Sequence, residues 1–158
     1  MRIGHGYDAH RFGSQRPFII GGVKIPYERG LDAHSDGDTL VHAVIDALFG
    51  AAGERDIGAH YPDTAAEFDG IDSLALLRDA AKTVGGLGFG IDYIDCTVIA
   101  QRPKMAAYIP QMRENLARAC GIDVSRVNVK ATTEEHMGFT GEGTGLAAHA
   151  VCLLTEQE

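Results

Sequence analysis

Apolar positions along the chain change their period several times, and each change predicts an element. Ile3, His5 and Tyr7 alternate with Arg2, Gly4 and Gly6, the two-residue period of a strand. A short strand is therefore expected to deliver Asp8 and His10 at its end. Residues 18–26 predict a strand or hairpin with Gly21 and Gly22 as its turn or bulge. Residues 28–32 predict a loop. Leu40, Val41, Val44, Ile45 and Leu48 form a helical stripe, so a helix runs to Phe49 with its N-cap within Asp36-Gly37-Asp38. Residues 52–71 lack apolar periodicity and predict a long irregular loop, functional or mobile. A helix from Leu74 to Val84 follows, capped by Ser73 and ended by Gly85-Gly86. Residues 93–101 alternate as a strand, Pro110 to Cys120 reads as a helix stopped by Gly121, and residues 127–132 alternate again. Residues 135–145 form a glycine-rich loop before a last strand at 146–154. The mixed order predicts an α+β (α/β-like) fold: one domain over 1–158, with one mixed β-sheet packed against helices.

The chemistry concentrates where the period breaks. Asp8 and His10, two apart on an extended segment, leave the same face. His42, on the first helix, has a fixed direction, and Asp38 and Asp46 lie four residues to either side, where either carboxylate would orient its ring. An Asp and a His on a strand with a His on a helix supply three ligands to one tetrahedral ion and leave a fourth position open, the pattern of a catalytic zinc site. His34 and Ser35, ahead of a helix, read either as anion ligands or as a polar turn. Thr132, Thr133, Glu134 and Glu135 end a strand, where hydroxyls and carboxylates meet a ligand or merely water. Lys104 beside Pro103 is a candidate phosphate contact. Asp56 and Asp63 read equally as loop caps. The glycines at 138, 141, 143 and 145 precede a strand and no Gly-Lys-Ser/Thr follows, which excludes a Walker loop. His5 faces away from Asp8 and reads as a hydrogen-bonded structural residue.

Composition narrows the function further. The formal net charge of −8 argues against nucleic acid or an anionic membrane as partner, and an acidic protein acting on an acidic substrate needs cations at its site. Cys96, Cys120 and Cys152 are widely spaced in apolar contexts, with no CxxC, so buried reduced thiols in a cytoplasmic protein are expected. Neither a signal peptide nor a membrane-spanning run is expected.

Taken together and in order, several blocks are specific where each alone is weak. Arg2-Ile3-Gly4-His5-Gly6-Tyr7-Asp8-Ala9-His10, Ala33-His34-Ser35-Asp36-Gly37-Asp38, Asp56-Ile57-Gly58, Tyr61-Pro62-Asp63-Thr64, Ala100-Gln101-Arg102-Pro103-Lys104-Met105, Asn128-Val129-Lys130-Ala131-Thr132-Thr133 and Gly138-Phe139-Thr140-Gly141 closely resemble the 2-C-methyl-D-erythritol 2,4-cyclodiphosphate synthase family of non-mevalonate isoprenoid biosynthesis. The resemblance implies a cyclising phosphorus-oxygen lyase that converts 4-diphosphocytidyl-2-C-methyl-D-erythritol 2-phosphate to the cyclic diphosphate and CMP. It implies zinc on Asp8, His10 and His42, and a second divalent cation, Mg2+ or Mn2+, on Glu135. It makes His34 and Thr133 the catalytic phosphate-aligning residues, with Asp8, His10, His34 and Ser35 against the substrate. Asp56, Ile57, Gly58 and the loop Tyr61, Pro62, Asp63, Thr64 and Ala65 become the methylerythritol phosphate pocket. Ala100, Gln101, Arg102, Pro103, Lys104, Met105 and Ala106, with Ala131, Thr132, Thr133, Glu134 and Phe139, become the cytidine diphosphate side. The family resembled is homotrimeric, with each site at a subunit boundary, one chain bringing the zinc and the next the nucleotide pocket. Some of its members carry Arg at the position of Glu142, near the trimer axis, where it is linked to an isoprenoid diphosphate; Glu142 has the wrong charge for that.

A zinc phosphohydrolase using the same ligands, or a non-catalytic nucleotide-binding module, are the rival expectations. The first would give an open-chain product, the second no turnover.

Overall fold

The computed structural model describes residues 1–157. Its frame is a five-stranded mixed sheet in the order β4-β1-β7-β5-β6, built from β1 (Arg2–Ser14), β4 (Gly30–Leu31), β5 (Phe89–Ile99), β6 (Val127–Thr132) and β7 (Gly145–Glu156). β7 runs antiparallel to both β1 and β5, and β5 is parallel to β6. A separate two-residue hairpin joins β2 (Ile19–Ile20) to β3 (Val23–Lys24). Gly21 and Gly22 form its turn, both at positive φ, as the glycine pair predicts.

Helices α1 (Thr39–Ala52), α3 (Ser73–Gly86) and α4 (Ile109–Cys120) cover the sheet. α1 lies across β1 and β7, α3 packs against α1, and α4 packs against α3. α1 is buried on nearly every side, with Leu40, Val41, Val44, Ile45, Leu48 and Phe49 all inaccessible. Asp38 is its N-cap, accepting from the Val41 N–H at 3.1 Å, and Gly53 in the left-handed region closes it. The Asp38 carboxylate also accepts from the N–H groups of Gly21 at 2.9 Å and Gly22 at 2.6 Å, so one side chain caps the helix and anchors the hairpin.

Several elements extend beyond their sequence signals. β1 continues to Ser14 because its pairing runs on through Arg11↔Gly145 and Ser14↔Gly30, which places Asp8 and His10 mid-strand rather than at its end. The same pairing turns part of the expected loop at 28–32 into β4. α3 runs through Gly85 and Gly86, and Asp72, not Ser73, is its N-cap. The long loop at 52–71 contains one short helix, α2 (Ile57–His60), and a single 3-10 turn, Ala66–Phe68. The glycine-rich loop holds another four-residue helix, α5 (Gly138–Gly141).

The inward row of β1 is Gly4, Gly6, Asp8, His10 and Phe12, while Ile3, His5 and Tyr7 face out. The apolar alternation thus points away from the helices. Glycine faces them because α1 passes too close for a side chain: a Cβ on Gly4 would lie 2.0 Å from the Ala47 carbonyl oxygen, and one on Gly6 1.9 Å from that of Ala43. On the outer face the His5 and His149 rings meet at 2.9 Å, and Ile3 is 73% exposed.

Candidate metal centre and active site

Close packing of α1 on the two glycines puts its first turn directly over the next inward residues of β1. His42 comes down beside Asp8 and His10. One oxygen, Asp8 Oδ2, lies 3.0 Å from His42 Nδ1 and 3.1 Å from His10 Nδ1, and one donor atom from each residue falls within 4.8 Å of the others. Tetrahedral bonds of about 2.0–2.1 Å separate donors by roughly 3.3–3.4 Å. To admit an ion, each imidazole nitrogen and Asp8 Oδ2 need part by only a few tenths of an ångström. Two imidazoles and one carboxylate, with no fourth His, Cys, Asp or Glu in the cluster among the described residues, suit an ion that keeps a position for a ligand.

The electrostatics are those of a proton standing where a cation fits. Burial pushes the Asp8 carboxyl up, but hydrogen bonds from His10 and His42 outweigh it and leave the group below its ordinary value. Burial pushes the His42 imidazole down, yet the Asp8 carboxylate more than offsets that and its pKa rises. Asp8 is therefore ionised and His42 holds a proton readily, one that a divalent cation bound to these groups would displace.

Neither carboxylate expected to orient His42 does so. Asp38 is taken by the helix cap and the hairpin, and burial, then repulsion from Asp36, pushes its pKa up to about 6. Asp46 accepts from the Ile57 N–H at 2.9 Å, holding the start of α2. The second imidazole nitrogen of His42 instead meets two hydroxyls, Ser73 Oγ at 2.9 Å and Ser35 Oγ at 3.1 Å. Ser35 lies just seven residues before His42, whereas Ser73, the buried first residue of α3, comes from a segment remote in sequence.

A cavity of about 350 Å³ opens beside the cluster. His34 and Ser35 stand on one side, and Ile57, Gly58, Tyr61 and Asp63 on another. Phe68, Ile71 and Leu76, which carry no sequence signal, give it an apolar wall. His34 Nε2 is buried without a hydrogen-bond partner. Tyr61 donates its hydroxyl to Asp79 at 2.7 Å, which ties this loop to α3. Asp56 caps α2 through the Ala59 N–H at 2.8 Å, the loop-cap alternative that its sequence position left open. Pro62 and Thr64 are exposed and Ala65 is half-buried, and none of the three lines the cavity.

The other expected segments meet elsewhere. Register carries a row across the sheet through Ala9, Ala147, Ile99 and Thr132, so the ends of β5 and β6 reach the same end of the sheet as His10. They lie two and three strands away, roughly 10–14 Å. Ala100 N–H donates to Thr132 O at 3.1 Å and His136 N–H to Gln101 Oε1 at 3.1 Å, bringing 100–106 and 131–136 together. Arg102, Lys104, Ala106, Ala131, Thr132 and Glu135 are exposed, Pro103 and Thr133 half-buried. Met105, in contrast, is 3% exposed and packs its side chain into the core. Glu134 accepts from the Thr140 hydroxyl, and Phe139 is exposed on α5. Glu135 and His136 both have positive φ, 51° and 64°, an uncommon state for residues with a Cβ. A second, smaller cavity includes His10, Arg11 and Phe139 in its walls.

No helix among the described residues is long and apolar enough to cross a membrane. Cys96 and Cys152 are buried and Cys120 half-buried, all three unpaired; burial pushes the Cys120 thiol up to about 12 and Cys152 to about 11.

Comparison with known proteins adds what geometry alone does not name. A profile of the YgbB family matches residues 1–155. The 2-C-methyl-D-erythritol 2,4-cyclodiphosphate synthase of Trichlorobacter lovleyi is 57% identical over 157 residues, covering 99% of this chain and 100% of that protein. The synthase of Geotalea uraniireducens is 56% identical, with 98% of each chain covered. Among solved structures, the bifunctional IspDF from Campylobacter jejuni superposes with a TM-score of 0.96 at 43% identity over 99% of this chain, which spans 42% of that longer one. A CDP complex of IspF from Plasmodium falciparum matches with a TM-score of 0.87 at 32% identity, covering 99% of this chain and 97% of that one.

Proposed function

The chain belongs to the YgbB family, whose matched relatives are 2-C-methyl-D-erythritol 2,4-cyclodiphosphate synthases, and on that premise we propose how its residues carry out the reaction. It is a cyclising phosphorus-oxygen lyase of isoprenoid biosynthesis: 4-diphosphocytidyl-2-C-methyl-D-erythritol 2-phosphate becomes the 2,4-cyclodiphosphate, and CMP leaves. The observation that carries the site assignment is the meeting of Asp8, His10 and His42 at the mouth of the 350 Å³ cavity.

An oxygen of the 2-phosphate attacks the β-phosphorus, and the bond to the CMP oxygen breaks. A phosphate monoester has its second pKa near ~6, so this nucleophile is ionised at neutral pH and no strong general base is required. A zinc ion on Asp8, His10 and His42 and a second dication, magnesium or manganese, on Glu135 supply, when bound, the positive charge that a polyanion in an acidic protein needs. His34 contributes through Nε2, a buried polar atom that costs about 1–3 kcal/mol while unpaired and that a phosphate oxygen would satisfy. Ser35 stands next to it against the same phosphates, and Thr133 and Lys104 hold the diphosphate from the nucleotide side. Ile57, Gly58, Tyr61 and Asp63 fold the polyol so that its two ends meet, an orientation effect worth up to ~7–11 kcal/mol. The apolar wall of Phe68, Ile71 and Leu76 keeps water, which would give hydrolysis, from the β-phosphorus.

We place the enzyme in the cytoplasm as a homotrimer whose neighbouring chain brings residues 100–106 and 131–135 to the metal cluster. Two observations support that assembly. The nucleotide segments stand two and three strands from the cluster, and the outer sheet face exposes Ile3, Tyr7 and Val151. Incubation with the cytidylyl substrate, followed by phosphorus NMR with and without chelator, tests the whole reading. A cyclic diphosphate and CMP, lost on chelation, are expected; an open-chain product would overturn it. Sedimentation analysis tests the trimer.

A further inference from the structure

Ser73 and Asp36 belong to the metal centre although neither sits among its ligands. Ser73 is wholly inaccessible. Its hydroxyl donates to Asp36 Oδ1 at 2.5 Å, and its backbone N–H donates to the other oxygen, Asp36 Oδ2, at 3.0 Å. A serine has one hydroxyl proton, and here it is committed to a carboxylate. What Ser73 Oγ offers His42 Nε2 at 2.9 Å is therefore a lone pair, and the imidazole must be the donor. A ring with its proton fixed on Nε2 keeps Nδ1, the nitrogen beside Asp8, for a cation.

Asp36 is held in turn. Its own N–H donates to Ile71 O at 3.2 Å, and the Gly70 N–H donates to His34 O at 2.8 Å. The 34–36 segment and the end of the polyol loop are thus stitched together directly behind His42. Asp72 caps α3 by accepting from the Leu74 N–H at 2.9 Å, so the Ser73 hydroxyl has no duty to the helix.

We propose that Ser73, braced by Asp36, is the positioning residue that fixes the tautomer and ring angle of His42 and so sets the affinity of the centre for a divalent ion. It acts only through His42. The inference rests on the assignment of Asp8, His10 and His42 as ligands. Outer partners of this kind typically contribute 10–100-fold to metal affinity.

The test is zinc affinity by chelator competition on the full chain, with thermal unfolding of each metal-free protein alongside. S73A is expected to bind zinc 10–100-fold more weakly while the metal-free melting temperature stays close to that of the parent, because the cap at Asp72 is intact. S73T, which restores a hydroxyl, is expected to recover most of the affinity. Asp36 also accepts from the Asp38 N–H at 3.1 Å, so S73A/D36N is expected to weaken binding by less than the sum of S73A and D36N measured singly, the shared part running through the serine. In the zinc-loaded parent, histidine nitrogen NMR is expected to show the His42 proton on Nε2. Zinc affinity of S73A within twofold of the parent, or a weakening that adds fully in the double variant, would overturn the inference. H42A separates this from failure of the underlying reading: if H42A keeps parental affinity the ligand assignment falls, whereas loss in H42A with none in S73A sinks only the role of Ser73.

Discussion

Asp8, His10 and His42 have side chains only 27%, 16% and 11% exposed and hang from the middle of a long strand and the first turn of a buried helix. Lys104, Glu135 and His136 are exposed and sit on turns beyond the ends of β5 and β6. The first group already touches; the second is linked mainly by backbone, through Ala100, Thr132, Gln101 and His136. The contrast separates two ways of arranging polar groups. Where the scaffold presses charged groups together under cover, each must have a partner, because an unpaired buried charge is costly. Where they stand in water no such demand exists. The left-handed pair Glu135-His136 lies in this second regime, and each such residue carries strain of about 1–3 kcal/mol.

Four changes probe that contrast, beginning with the largest expected effect. H42A removes a ligand from the covered half; turnover should fall on the order of 10³-fold or more with the fold retained by circular dichroism, and near-normal turnover would reject the metal assignment. D38A attacks the scaffold that presents His42. It deletes the helix cap and leaves the Gly21 and Gly22 N–H groups short of an acceptor, so denaturant titration should show a loss of roughly 3–5 kcal/mol. A loss below ~1 kcal/mol would mean that the cap does not hold helix and hairpin together. E135Q touches only the open half: the magnesium or manganese requirement should shift by about tenfold, ~1.4 kcal/mol, while zinc content stays unchanged. An identical metal titration would remove Glu135 from the site. K130A, on the exposed sheet face, should cost less than ~1 kcal/mol. Burial raises the Asp95 pKa, but hydrogen bonds from Lys130 and Asn128 together outweigh it and bring the group below its ordinary value. Its contribution is accordingly present above about pH 4 and fades as the pH falls through that lowered folded value. K130A should flatten this acid limb, and an unchanged slope would show that the pair contributes nothing.

Much of the frame was legible in the chain, and the gaps share a cause. The Gly21-Gly22 turn, the Asp38 cap, the limits of β6 and the Pro110–Gly121 boundaries of α4 depend on neighbours in sequence, and local chemistry announces them. β1 outran its signal because partners from both sides, β4 and β7, extend it. Its inward row reads as polar and glycine, so the apolar alternation marks the outer face and not the packed one. Asp8, His10 and His42 stood out by residue type. Ser73 and Asp36 did not: a serine at a helix start is a cap in sequence terms, and only the approach of α3 to His42 gives its hydroxyl another partner. The apolar wall of Phe68, Ile71 and Leu76 was invisible for a similar reason, being gathered from an irregular stretch and a helix.

Gly4 and Gly6 act as a spacer made of missing atoms. Without their methyl groups the backbone of α1 settles against β1, and the distance from His42 to Asp8 and His10 becomes a property of two rigid rails rather than of side-chain choice. Rails at fixed separation gauge what passes between them. Calcium asks for six to eight oxygens at about 2.3–2.6 Å, a set that two imidazole nitrogens and one carboxylate do not supply.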